Sequence, residues 1–252
     1  ISPDPTVELA AEGTARLKAF APDLLVALGG GSAMDCAKAM AYFGGRDIPL
    51  AAIPTTSGSG SEATDFAVLT HGKTKYPLVD PRLRPKLAIL DSDLLRELPP
   101  ALIADTGFDV LTHAVESATA PGAGTIPGLL AAEAFRTAYA CLPASYAGDT
   151  SVRLRLHMAS TLAGIAFSHT GLGLCHAMSH ALGARFHVPH GRLNAILLPA
   201  VIASNAQGAG SGYARLARAA GLGGSADVVA LRNLKNGLVR LRRDLGLPQT
   251  LA

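Results

Sequence analysis

Eight histidines occur in the 252 residues, and five of them fall between His169 and His190. Asp109 and His113 stand four apart in FDVLTH, so a helix would carry both on one face. His176 and His180 repeat that spacing in HAMSH, and His190 follows in the turn PHG. One carboxylate and several imidazoles suit a first-row divalent ion, zinc or iron. The stretch around Asp109 is otherwise apolar and rich in small residues. Burying a carboxylate and an imidazole there is costly unless something pairs with them, and an ion supplies the pairing. A lone histidine is ordinarily a hydrogen-bonded core or surface residue, so the weight rests on the combination. His169, at an expected helix end, and His187, out of helical register with the others, stay outside it.

Two further segments have the chemistry of anion loops. Gly29-Gly30-Gly31-Ser32 lies between an expected strand and an expected helix. There glycine lets backbone amides approach an anion, and the helix N-terminus adds partial positive charge. The segment matches neither GxGxxG nor a P-loop lysine motif, and alone it reads equally as a tight turn. Thr55, Thr56, Ser57, Ser59 and Ser61 bring hydroxyls to the end of the next expected strand. Two donor-rich loops at neighbouring strand ends are what a pyrophosphate needs, so the pair favours a dinucleotide. Lys75 is positioned in sequence to add a positive charge.

The elements that must hold these groups divide into two kinds. Residues 23–28, 48–53 and 86–90 read as short buried strands, with Ser32 as the N-cap of a helix running past Asp35 to Tyr42. Strand, helix and strand in that order imply parallel pairing, with ligand loops at the carboxyl ends of the strands. After Pro99 the strand pattern stops. Residues 101–117, 127–142, 151–169, 172–182, 192–205 and 232–243 read as helices, the last with its basic residues on a solvated face. The expectation is an α/β nucleotide-binding domain over residues 1–96 followed by an all-α metal-binding domain over 97–252.

Composition excludes several partners. Half of the chain is apolar and its formal charge is only +3, evenly spread, which argues against a nucleic-acid or membrane-surface partner. No apolar run is long enough to cross a bilayer. Cys36, Cys141 and Cys175 lie far apart with no CxxC pair, as in a reduced, cytoplasmic protein.

Taken together, GGGSAMDCAKA at 29–39, IPTTSGSGSEAT at 53–64, TGFDVLTHAVE at 106–116 and GLGLCHAMSHALGARFHVPHGRLNAILLP at 171–199 resemble the iron-containing (group III) alcohol dehydrogenases. The motifs occur in the family's order, and the similarity runs over nearly the whole chain. Through ISPDPTVE, TKYPLVD and ASTLAGIAFSHTGLGLCHAMSHALG it is most similar to the branch serving propanediol utilisation. The resemblance implies a dehydroquinate synthase-like architecture with the active site between the two domains. It assigns Asp109, His113, His176 and His190 as ligands of Fe2+, with Zn2+ the alternative. It places His180 on the nicotinamide and substrate side, and matches Gly30, Gly31, Ser32, Asp35, Thr55, Thr56, Ser61 and Lys75 to cofactor-contacting positions. Ser59 stands where the family usually has threonine, which keeps the hydroxyl. Members of the family are longer at both ends, so the chain is expected to lack the opening β/α unit and the remainder of the helical domain.

The chemistry so implied is reversible hydride transfer between NAD(H), preferred over NADP(H), and a short-chain primary alcohol or aldehyde, with 1-propanol and propanal the expected pair. The expected assembly is a homo-oligomer, a dimer, in the cytoplasm or associated with a microcompartment. Three alternatives stay open: a zinc-dependent polyol dehydrogenase, a dehydroquinate synthase-like enzyme, and a non-catalytic truncated relative that binds metal. Against the second, the residues around the histidines are mostly Ala, Gly, Leu and Met, including Phe167, Leu172, Leu174 and Met178, which suit a small, weakly polar substrate.

Overall fold

The computed structural model describes residues 1, 3–45 and 47–251. Helix α1 (Val7–Phe20) begins where the Thr6 hydroxyl accepts from the Leu9 amide, a side-chain cap that satisfies one orphan donor. Strand β1 (Leu25–Gly29), helix α2 (Gly31–Phe43) and strand β2 (Leu50–Pro54) follow. The two strands pair in parallel, Leu25 opposite Leu50 and Gly29 opposite Pro54. A parallel pair needs a crossover, and α2 supplies it. A hairpin of β3 (Phe66–His71) and β4 (Thr74–Val79) precedes β5 (Leu87–Ala88), which adds to the other side of β2. The parallel sheet therefore has the order β1-β2-β5.

The three expected strands form, with ends displaced by one or two residues and the third reduced to two. The hairpin was not anticipated. Its second strand carries Pro77, which cannot donate to a ladder and is tolerated because β4 is an edge. The expected cap at Ser32 is corrected: Gly30 is the N-cap of α2 and makes no side-chain cap bond. The Ser32 hydroxyl instead accepts from the Asp4 amide at 3.2 Å.

Leu25, Ala27, Leu50 and Ala52 face Met34 and Ala37 of α2. On the opposite face Val26, Leu28 and Leu87 are each more than half exposed, while Ala51 between them is buried.

Among the described residues no strand occurs after Ala88. Helix α3 (Pro100–Thr119) is the axis of the helical half and is buried almost all round from Ile103 to Ala118. Around it pack α4 (Thr125–Tyr146), α5 (Arg153–Thr170), α7 (His190–Ser204) and α8 (Ala206–Ala219), with α6 (Leu174–Phe186) against α7 and α9 (Asp227–Asp244) against α8. Phe108, Leu111, Phe135, Leu142 and Leu198 have no exposed surface, and each contributes roughly 1.5–3 kcal/mol by leaving water. Helix α8 was missed because Gly208, Gly210 and Gly212 depress helix propensity, while only Tyr213, Ala214, Leu216 and Ala217 mark its buried face. No helix among the described residues is long and apolar enough to cross a membrane.

Pro199 lies inside α7 and has no N–H for the Ala195 carbonyl one turn back. Arg242 of α9 compensates: its Nη1 donates to the Ala195 oxygen at 3.1 Å and to the Ile196 oxygen at 3.2 Å.

Candidate metal centre

Three helices deliver the histidine cluster. Asp109, His113 and Glu116 fall on one face of α3 by their spacing of four and three, His176 and His180 on one face of α6, and His190 opens α7. Gly191 lets that last helix start against α3, since a Cβ there would sit 1.9 Å from the Asp105 carbonyl oxygen.

Asp109 Oδ1 is the centre of the arrangement. His176 Nε2 and His190 Nε2 each lie 3.5 Å from it, and His113 Nε2 lies at 3.7 Å. These separations are too long for good hydrogen bonds. They match the spacing of atoms that share one ion, because ligands about 2.1 Å from a tetrahedral centre stand about 3.4 Å apart. The donor set is therefore compatible with a divalent metal. Its compact part is Asp109, His176 and His190, whose ligand atoms lie within 4.8 Å of one another. His113 is outside that compact set and stands close to Asp109; its ring stacks between Phe167 and His176, with centroids 4.5 Å from each.

Burial alone would raise the Asp109 carboxyl, but the surrounding His113, His190 and His176 hold it far below the usual carboxylate range. Burial pushes His113 down to about 4 and His190 well below its ordinary value, leaving neutral imidazoles with free lone pairs. His176 is the exception. Burial opposes its charge, yet Asp109 and Glu116, one beside each ring nitrogen, raise it to about 9.

His180 stands at the edge of this cluster, its ring centroid 4.9 Å from that of His190. It also lines a cavity of about 480 Å³ between the β4 strand and α6, with Lys73, Lys75, Ala177, Ala181 and Arg185. Of the apolar residues expected near a substrate, Phe167 is buried against His113, while Leu174 and Met178 are exposed.

The two loops expected to meet an anion lie side by side. The Thr55 amide donates to the Gly29 carbonyl at 2.9 Å. A Cβ on Gly30 would approach Thr56 Oγ1 to 3.2 Å, and one on Gly31 would approach Ser59 Oγ to 3.1 Å. Asp35 is engaged within the fold: its oxygens accept from the Ser61 hydroxyl at 2.9 Å and the Val68 amide at 3.1 Å. Lys75 Nζ pairs with Asp4 Oδ1 at 2.6 Å, so Asp4 joins the expected positions Ser32 and Lys75. Gly60, at φ +62°, presses the second loop onto α5; a Cβ there would lie 2.7 Å from the Ser160 oxygen and 2.9 Å from Gly164 Cα. Ser57 Oγ is 3.0 Å from His157 Nδ1 on the same helix, a second tie between loop and bundle.

Two residues of the centre were missed in the sequence. Glu116 Oε2 lies 2.6 Å from His176 Nδ1. Asn194 Nδ2 donates to Asp109 Oδ1 at 2.8 Å and stands 3.2 Å from His190 Nε2. The signal for both was present, since Glu116 follows His113 by three and Asn194 follows His190 by four.

Residues 1–92 match the family model described as iron-containing alcohol dehydrogenase, and residues 103–252 match the C-terminal model of the Fe-containing alcohol dehydrogenase family. The 1-propanol dehydrogenase PduQ of Salmonella typhimurium is 44% identical over 98% of this chain and 70% of its own length. The NADPH-dependent butanol dehydrogenase of Clostridium saccharobutylicum is 39% identical over 100% of the chain and 70% of its own. Among solved structures, the iron-containing alcohol dehydrogenase of Thermococcus thioreducens superposes with a TM-score of 0.90 at 38% identity, over 98% of this chain and 70% of that one.

Proposed function

Because the chain belongs to the iron-containing alcohol dehydrogenase family, we propose that it interconverts 1-propanol and propanal with NAD(H), using Asp109, His113, His176 and His190 to hold Fe2+. The observation that carries this reading is the convergence of three imidazole Nε2 atoms on Asp109 Oδ1 at 3.5–3.7 Å. When bound, the ion supplies Lewis acidity toward the substrate oxygen and the nicotinamide carries the hydride.

The chain's own groups do the rest. Gly30, Gly31, Ser32, Thr55 and Thr56 offer amides and hydroxyls to the cofactor's phosphates, and Asp35 and Ser61 brace the loop that presents them. Lys75 contributes charge at the cavity wall. His180 holds or passes the proton of the alcohol at a ring nitrogen, between the cluster and the open cavity. Phe167 against His113 excludes water from one side. Residues 1–96 form the nucleotide domain and 97–252 the metal domain, and the protein works as a homodimer in the cytoplasm or beside a microcompartment.

The test is NADH oxidation with propanal, measured as isolated, after chelation, and after reconstitution with Fe2+ or Zn2+. Turnover that disappears with the metal and returns best with Fe2+ is expected. Metal binding with neither NADH binding nor turnover would refute the dehydrogenase and leave a non-catalytic relative. Faster turnover with NADPH would overturn the cofactor preference, and a monomer by light scattering the dimer.

A further inference from the structure

We infer that Glu116 is a positioning residue: it fixes the His176 imidazole so that Nε2, and not Nδ1, faces the metal site. The inference rests on the reading that Asp109, His113, His176 and His190 hold a divalent ion.

Glu116 is itself no ligand. It lies two helical turns along α3 from Asp109, its side chain is 6% exposed, and both oxygens are spent within the chain. Oε2 lies 2.6 Å from His176 Nδ1 and accepts from the Gly173 amide at 2.9 Å; Oε1 accepts from the Cys175 amide at 2.6 Å. An ionised carboxylate only accepts, so Nδ1 of His176 must carry a proton. In the neutral ring that leaves the lone pair on Nε2, which points toward Asp109 Oδ1 at 3.5 Å. A carboxylate behind a ligating imidazole also raises its basicity and restrains its rotation.

The same carboxylate seats the helix that carries the ring. Gly173 is the N-cap of α6 and has no side chain to cap it, so Glu116 accepts from the Cys175 amide, which a capping side chain would serve, and from the amide of Gly173 itself. The fit is close, because a Cβ on Gly173 would lie 2.9 Å from Glu116 Oε1. One residue of α3 therefore sets both where α6 begins and how its first histidine is turned.

Glu116→Gln bears mainly on the ring. Its oxygen, at the Oε1 place, still accepts from the Cys175 amide, while its NH2, at the Oε2 place, gives the Gly173 amide no acceptor, donates to Nδ1 and moves the ring proton to Nε2, the wrong side. Metal affinity is read by competition of Co2+ or Zn2+ against a chelating dye, and the site by the Co2+ visible spectrum. The expected result is affinity reduced ~10- to 100-fold and a changed Co2+ spectrum, with the metal-free protein still unfolding cooperatively at a modestly lower melting temperature. A variant that binds as tightly as the parent, with the same spectrum, overturns the positioning role while leaving the ligand set standing. A parent that binds no metal, alongside an equally inert His176→Ala, overturns the ligand reading and this inference with it. Should the variant fail to fold, the 15N shifts of the His176 ring in the Zn2+-loaded parent decide directly. A protonated Nδ1 supports the assignment and a protonated Nε2 refutes it.

Discussion

Asn194 donates a side-chain N–H to Asp109 Oδ1 at 2.8 Å, the same oxygen that three imidazoles face. Asn194 has no exposed surface, and its own carbonyl oxygen accepts from the Ser179 hydroxyl. The amide thus ties α7 to both α3 and α6 without contributing charge, and it keeps a carboxylate hydrogen-bonded that would otherwise meet only ring nitrogens.

Asn194→Ala should therefore lower stability by about 1–3 kcal/mol, the cost of leaving buried polar partners unsatisfied. Urea unfolding of the metal-free protein measures this, and a loss below the error of the titration would mean the amide is a bystander.

Adding metal should raise the melting temperature in a concentration-dependent way. At one hundred times the dissociation constant the linkage is about 2.7 kcal/mol, or roughly 5–10 °C for a protein of this size. Differential scanning fluorimetry of parent, Asp109→Ala and His190→Ala provides the check. The shift should vanish in both variants, and a shift that survived would place the ion elsewhere.

Arg242→Met should destabilise by about 1.5–3 kcal/mol, since it strands the Ala195 carbonyl that Pro199 leaves without an amide. The sharper expectation is coupling. In a Pro199→Ala background the restored N–H can serve Ala195, so the same arginine substitution should cost less. Equal costs in the two backgrounds of a double-mutant cycle would remove the explanation.

Acid should weaken the protein in part through His157. Burial depresses the pKa of this fully buried ring below its ordinary 6.5, against the pull of the Pro54 carbonyl. The unfolded chain therefore takes up the proton first. The stabilisation is complete above pH 6.5, falls as pH drops below it, and levels off beneath the folded-state value. Urea midpoints in saturating metal between pH 7 and pH 5 should fall more steeply for the parent than for His157→Gln, and parallel slopes would count against it.

The candidate ligands were legible because a helix turns spacing into adjacency: Asp109 with His113, and His176 with His180, need no tertiary information to share a face. The strands leading into the 29–32 and 55–61 loops were legible for a similar reason, since glycine and proline punctuate short apolar runs. What was hidden depends on partners far away in the chain. Ser32 looked like a cap, but the Asp4 amide uses its hydroxyl. Nothing in the sequence showed that Asp35 would accept from Ser61 and Val68. Glu116 and Asn194 were on the right faces all along, yet a glutamate or asparagine on a helix carries no mark of what it meets.

Gly60 and Gly164 touch main chain to main chain, and Phe167, one turn further along α5, stacks on His113. Exposed side chains flip between rotamers within picoseconds to nanoseconds, whereas a contact between backbones has no rotamers to exchange. The distance of the 55–61 loop from α5 is thus set at this point by contact between two backbones. A side chain added at Gly60 or Gly164 would therefore push the loop off the helix that carries Phe167.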